Sequence, residues 1–160
     1  MSEPDLIMKR EPAPVSEKKQ RILIVEDQPL MLELLSTVLQ EAGYEVDQAE
    51  HALAAVCAVV RAAPPDLILT DIRMPIVDGL ELVRTIKADT GARHIPIVAV
   101  TGLDTPQARE AAHKAGCIGY ITKPIDVKRF PQQIAQFLYQ PKSQAHEHPS
   151  VNQAHWRAAQ

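Results

Sequence analysis

Between residues 21 and 139 short apolar runs alternate with amphipathic stretches. Residues 21–25 (RILIV) form a nearly unbroken apolar run, which predicts a strand buried on both faces. Met31, Leu34, Leu35, Val38, Leu39 and Ala42 then recur at i, i+3, i+4, i+7, i+8 and i+11, which predicts a helix with one apolar stripe. Pro29 suits its first turn and Gly43 the position just past its end. Residues 44–49 (YEVDQA) alternate, as a strand with one wet face does. A helix over 52–62 follows, closed by Pro64 and Pro65, and residues 67–70 (LILT) make a third strand. Residues 71–79 read as a loop holding Pro75 and Gly79, and Leu80, Leu82, Val83 and Ile86 as a helix face. Residues 97–101 (IVAVT) are a fourth strand. Asp104 is placed to cap the next helix, with Thr105 and Pro106 in its first turn and Gln107 reaching back. That helix ends near Gly116, residues 119–122 form a fifth strand, and a last helix closes near Tyr139. Pro131 constrains this last helix, which either starts near Phe130 or kinks.

Five strands alternating with five helices predict an α/β doubly wound fold of the flavodoxin-like (βα)5 type, a parallel sheet covered on both faces. Only the second strand alternates, so it belongs at an edge, which favours the order 2-1-3-4-5. The switch point then lies between the carboxyl ends of strands one and three. Residues 1–20 and 140–160 are polar and Pro-containing with no apolar period, so they read as flexible tails around one domain at 21–139.

Composition narrows the class. Aromatic residues are 4% of the chain, so the core must be aliphatic. A net charge of −3 offers no electrostatic basis for binding nucleic acid or an anionic membrane. No apolar run is long enough to span a bilayer, and Met1 to Gln20 lack the apolar centre of a secretory signal, which points to the cytoplasm. Cys57 and Cys117 lack CxxC spacing and read as two buried, reduced thiols. His146, His148 and His155 match no zinc spacing, and Trp156 sits in the same polar tail.

The polar residues at the strand carboxyl ends carry the chemistry. Strand one delivers Glu26 and Asp27, strand three Asp71, strand four Thr101 and strand five Lys123, all along one sheet edge. Singly, each reads as a cap, a turn former or a solvated loop residue. Together, three carboxylates at one crevice repel, and a hard divalent cation relieves that repulsion. Magnesium takes about six oxygens at about 2.0–2.1 Å and keeps several waters, leaving room for a phosphoryl oxygen. An ionised Asp needs no base to act as an oxygen nucleophile, so positioning and charge neutralisation suffice. Lys123 and the Thr101 hydroxyl are placed to meet the phosphoryl oxygens.

Four segments carrying these residues, 22–27 (ILIVED), 71–79 (DIRMPIVDG), 99–102 (AVTG) and 119–124 (GYITKP), resemble the receiver (CheY-like) domains of two-component response regulators. The resemblance implies that Asp71 is the phosphoacceptor. It implies that Glu26 and Asp27 are the magnesium-binding acidic pair, with Asp27 a direct ligand, and that the Arg73 backbone carbonyl completes the protein ligands. It makes Lys123 the phosphate-contacting lysine, joined to Pro124 by a cis bond, Thr101 the switch hydroxyl and Tyr120 the switch aromatic. The implied output is remodelling of the face formed by helix 4, strand 5 and helix 5. The Glu-Asp pair departs from the commoner Asp-Asp, a variant expected to retain the metal.

The function expected is a stand-alone receiver that takes phosphate from a phosphohistidine of a histidine kinase or phosphotransfer protein and acts on a downstream effector protein by contact. The stretch after Tyr139 is too short for a DNA-binding unit. A phosphorelay shuttle is the nearest alternative, and homodimer formation is left open. A magnesium-dependent phosphohydrolase would want Asp-x-Asp where this chain has Asp71, Ile72 and Arg73, and a pure interaction module would not need the intact acids and lysine.

Overall fold

A computed structural model describes residues 18–61 and 63–139. The three tail histidines and Trp156 lie outside the described residues, as does nearly all of both expected tails. The elements run β1 (Arg21–Val25), α1 (Pro29–Glu41), β2 (Glu45–Ala49), α2 (Ala52–Val59), β3 (Leu67–Thr70), α3 (Gly79–Ala88), β4 (Ile97–Thr101), α4 (Pro106–Ala115), β5 (Gly119–Thr122) and α5 (Phe130–Leu138). All strand pairs are parallel, in the order β2-β1-β3-β4-β5, as the strand patterns predict.

Alternation within each strand splits the core in two. Leu23, Val25, Ile68, Ile97 and Ala99 face one side, where α2, α3 and α4 cover them. Ile22, Ile24, Leu67, Leu69, Val98 and Val100 face the other, against Leu32, Leu35 and Leu39 of α1 and Phe130, Ile134 and Phe137 of α5. Each fully buried aliphatic or aromatic side chain contributes about 1.5–3 kcal/mol, so both helical layers are held chiefly by this burial. β2 is an edge strand with only Ala49 buried.

Register aligns the strand ends. Val25 pairs with Thr70, so Glu26 and Asp71, the next residue on each strand, emerge side by side. Thr101 pairs with Thr122, which sets Lys123 one step beyond. Among the described residues no helix is long and apolar enough to cross a membrane.

Several local expectations need correction. The inward face of α1 is Leu32, Leu35, Ser36 and Leu39, while Leu34 and Ala42 point outward. An unbroken leucine-rich helix satisfies two overlapping stripes by pattern alone, and contact with the sheet selects one. Ser36 fits inside because its hydroxyl donates to the Leu32 carbonyl at 2.6 Å and accepts from Gln48 Nε2 at 2.8 Å. Helix α2 stops at Val59, short of residue 62. Pro64 has no N–H for the Val60 carbonyl and disfavours helix at the residue before it. Cys57 is exposed, because the inward positions of α2 are 52, 55 and 59; only Cys117 is buried, and burial pushes its thiol up to about 12. Thr105, not Asp104, caps α4, its hydroxyl accepting the Ala108 N–H at 3.1 Å with Pro106 following. Gly116 closes that helix at φ +119°, a conformation glycine adopts without strain. Helix α5 starts at Phe130, so Pro131 falls in the first turn, where no N–H is needed.

The adjacent leucines of α1 separate the two candidate stripes. Leu35→Ala should cost about 2–5 kcal/mol in urea denaturation. Leu34→Ala should cost under about 1 kcal/mol. Equal losses would contradict the observed face.

Candidate functional site

Each of the central three strands ends on a polar residue or is followed at once by one, and the parallel order brings these ends to one rim. Asp71 is held by its backbone N–H donating to Val25 O at 3.0 Å, and Glu26 by its N–H donating to Ala49 O at 3.0 Å. The Lys123 N–H donates to Thr101 O at 2.9 Å, and the Lys123–Pro124 peptide bond is cis. Backbone ties therefore fix three of the predicted residues before any side-chain contact is considered.

The side chains then converge. Lys123 Nζ donates to Glu26 Oε2 at 2.6 Å and to Asp71 Oδ2 at 2.9 Å. The second oxygen of each acid is also engaged. Glu26 Oε1 accepts the Gln28 N–H at 3.1 Å, and Asp71 Oδ1 accepts the Arg73 N–H at 3.0 Å. Carboxylate oxygens of Glu26, Asp27 and Asp71 lie within 4.8 Å of one another. Glu26 and Asp71 are buried and Asp27 is half-buried. Three negative groups thus face one ammonium, leaving an excess negative charge that water cannot fully screen.

The electrostatics follow from this imbalance. Burial raises the Glu26 carboxyl above its ordinary value, opposed by the Lys123 and Gln28 hydrogen bonds and reinforced by the Asp71 charge. Lys123 is also raised; burial alone would lower it, but its hydrogen bonds to Glu26 and Asp71 and their charges prevail. The two shifts carry opposite messages. The ammonium is well matched to its surroundings, whereas the acidic cluster holds more negative charge than one lysine neutralises. An all-oxygen set of this charge is compatible with magnesium.

Two further predicted residues sit at the pocket edge. The buried Thr101 hydroxyl accepts the Leu103 N–H at a long 3.4 Å. Tyr120 is buried on β5 and donates its hydroxyl to Leu103 O at 2.6 Å, so it does not reach the acids directly. The Arg73 side chain is exposed, and only its backbone N–H contacts Asp71.

Residues that the sequence pattern left in an ordinary loop also matter. Asp78 caps α3, accepting the Glu81 N–H at 2.8 Å, and Gly79 opens the helix with its N–H on Ile72 O at 2.8 Å. A Cβ at Gly79 would overlap the Asp71 carbonyl oxygen and crowd the Ile72 backbone. The Asp-Gly pair before an apolar helical stretch is the signal that marks this close approach. In the same loop Ile76 adopts φ +72° and is fully exposed, with the Val77 N–H donating to Pro75 O. A β-branched residue in that region stores about 1–3 kcal/mol of strain.

Gly79→Ala should therefore move the Asp71 backbone. The expected loss is about 1–3 kcal/mol of stability by denaturation. A variant as stable as the native chain would show that the contact is slack.

Comparison with known proteins agrees with this geometry. The family described as the response regulator receiver domain matches residues 22–135. The polar-differentiation response regulator DivK of Brucella anthropi is 39% identical over 117 residues, covering 73% of this chain and 94% of that one. The receiver domain of a sensor histidine kinase from Pseudomonas aeruginosa, solved with a magnesium ion coordinated in its active-site cleft, superposes with a TM-score of 0.70. It shares 30% identity, covering 77% of this chain and all of that one. The chemotaxis response regulator CheY4 of Vibrio cholerae gives a TM-score of 0.70 at 25% identity, covering 75% and 99% of the two chains. Five strands in this order, the acidic group at their carboxyl rim and the matched segment lead to one conclusion: the chain belongs to the response regulator receiver domain family of two-component signalling.

Proposed function

We propose that the chain is a cytoplasmic receiver that accepts a phosphoryl group on Asp71 from a phosphohistidine of a histidine kinase or phosphotransfer protein. The observation that carries this reading is the Lys123 ammonium bridging Glu26 and Asp71 beside a third carboxylate. An Asp71 oxygen attacks phosphorus in line as the bond to the donor imidazole nitrogen breaks, and the imidazole leaves with that electron pair. The nucleophile is ionised and needs no base. The incoming phosphoryl group adds about 1.5–2 negative charges, and Lys123 is positioned to exchange part of its contact with Glu26 and Asp71 for a phosphoryl oxygen. The Arg73 N–H orients the acceptor carboxylate.

Asp27, Asp71 and the Arg73 carbonyl would hold magnesium, with Glu26 supporting from the side. The ion's contribution when bound is to neutralise the acids and the transferring oxygens. Thr101, two residues before Leu103, and Tyr120, which bonds Leu103 O, form the switch that transmits the new charge to α4, β5 and α5, the face offered to an effector protein. Moving a surface from about 1:99 to about 99:1 takes about 5.5 kcal/mol of differential interaction. Charge-assisted hydrogen bonds of about 1.5–3 kcal/mol each can supply much of it.

Acetyl phosphate with magnesium should add one phosphoryl group by intact mass, and Asp71→Ala should add none. Lys123→Ala should slow uptake by on the order of 10²-fold or more. Uptake surviving in Asp71→Ala would move the acceptor elsewhere.

Magnesium should also stabilise the protein, by about 2.7 kcal/mol at one hundred times Kd. Because the Glu26 pKa is raised, its contribution to stability is fully present below the ordinary value of 4.5 and is lost as pH rises through the folded value. Magnesium reverses that loss, so the rise in Tm on adding it should be small at pH 4.5 and larger at pH 7. A pH-independent rise would place the cation away from Glu26. For Lys123, also raised, stability is present below the ordinary 10.5 and lost only as pH climbs through its folded value.

A further inference from the structure

Asp104 does not cap α4 and is freed for a different contact. Its Oδ1 accepts from Arg109 Nε at 3.1 Å and from Nη2 at 2.9 Å. This places the Arg109 guanidinium over the Tyr120 ring, 4.9 Å from its centroid. The Arg109 side chain is 14% exposed, while Asp104 is 62% exposed. Arg109 Nη1 is buried without a hydrogen-bond partner among the described residues. The electron-rich ring face beneath it is the group that offsets that loss. The opposite end of the ring is tied as well, since the Tyr120 hydroxyl donates to Leu103 O at 2.6 Å. Leu103 in turn donates its N–H to Thr101 Oγ1. The β4–α4 loop and the first turn of α4 are thereby tied to β5 through the hydroxyl and the ring face of one aromatic side chain.

We propose that Arg109 is the positioning residue of the switch: paired with Asp104 and stacked on Tyr120, it holds the ring inward in the unphosphorylated protein. The inference rests on reading Tyr120 as the switch aromatic. On that reading, a ring without such a clasp would exchange between inward and outward positions, and contacts made on phosphorylation would select the inward one. Here the inward position is already favoured. A desolvated cation–π contact shifts such a two-state ratio by on the order of ten-fold. The α4–β5 surface therefore differs less between the unphosphorylated and phosphorylated forms than the Thr101–Tyr120 pair alone would produce. An effector that selects the inward form should bind before phosphorylation, with phosphorylation strengthening an existing preference. Arg109 also gives the exposed Asp104 its partner. Its role is to orient the planar guanidinium, which a lysine at position 109 could not present as a flat face.

The test uses the full chain with 13C-labelled tyrosine rings, assigned by replacing Tyr44, Tyr120 and Tyr139 with Phe in turn. Ring exposure is read as relaxation enhancement by a neutral gadolinium chelate, with and without magnesium and beryllofluoride. In the native chain Tyr120 should be protected several-fold relative to the exposed Tyr139 in both conditions. In Arg109→Ala the Tyr120 enhancement should rise several-fold without beryllofluoride and fall back with it, while Tyr44 is unchanged, showing that the fold is intact. Arg109→Lys should behave like Arg109→Ala. Asp104→Asn, which leaves helix and ring in place, should give an intermediate rise even if Arg109→Ala fails to fold. Unchanged protection of Tyr120 in these variants, or an exposed Tyr120 in the native unphosphorylated chain, overturns the proposal. Exposure in Arg109→Ala that beryllofluoride does not reverse supports the clasp and instead counts against the Thr101–Tyr120 switch. Phosphoryl uptake on Asp71, measured by mass on the same samples, reports on the acceptor independently.

Discussion

One ammonium group between two buried carboxylates organises the rim of this sheet. Lys123 reaches Glu26 and Asp71 at hydrogen-bond distance, joining the ends of β5, β1 and β3 across residues 97 and 52 apart in sequence. Such a buried ionic cluster is not a strong source of stability, because desolvation offsets most of the attraction. Its value lies in geometry. A lysine fixed by two partners presents its charge at a defined place, and the acids are held close enough to suit a shared cation. The aliphatic layers on both faces bear the weight of folding, and they leave the rim free to store this imbalance.

Much of this was readable from the chain. Strand identity came from uninterrupted apolar runs such as 67–70, and the edge position of β2 from its alternation, because burial on one or two faces leaves different periods. The site was readable because parallel strands deliver their carboxyl ends to one rim, so that residues just past Val25, Thr70 and Thr122 must meet whatever the loops do. What periodicity could not settle depended on contact. Leu34 and Leu35 are equivalent by spacing, and only packing against the sheet distinguishes them. Asp104 and Thr105 are both good caps, and the choice turns on Arg109, whose pull on Asp104 is invisible without the ring of Tyr120 beneath it. Gly79 read as a loop residue because the Asp-Gly pair before the helix signals a cap there, while the crowding of the Asp71 carbonyl against its missing side chain shows only in three dimensions.

The site and the α4–β5 surface are linked by short covalent and hydrogen-bonded steps. Thr101 ends β4 at the pocket, Leu103 bonds both Thr101 and Tyr120, and Arg109 returns from α4 to the same ring. On the proposed reading, charge added at Asp71 would reach the α4–β5 surface by this compact chain of contacts. Membership in the receiver family accounts for the rim, and the arginine clasp adds a contact between α4 and β5 that the proposed switch would have to work against or with.

The claim beneath all of this is that Glu26, Asp27 and Asp71 form one cation-holding pocket with Lys123 at its side. Anomalous diffraction from crystals grown with manganese in place of magnesium tests it directly. The account predicts a single strong peak coordinated by oxygens of Asp27, Asp71 and the Arg73 carbonyl, with Lys123 still in contact with Glu26 or Asp71. A peak elsewhere, or an Asp71 carboxylate turned away from Asp27 and Lys123, would contradict it.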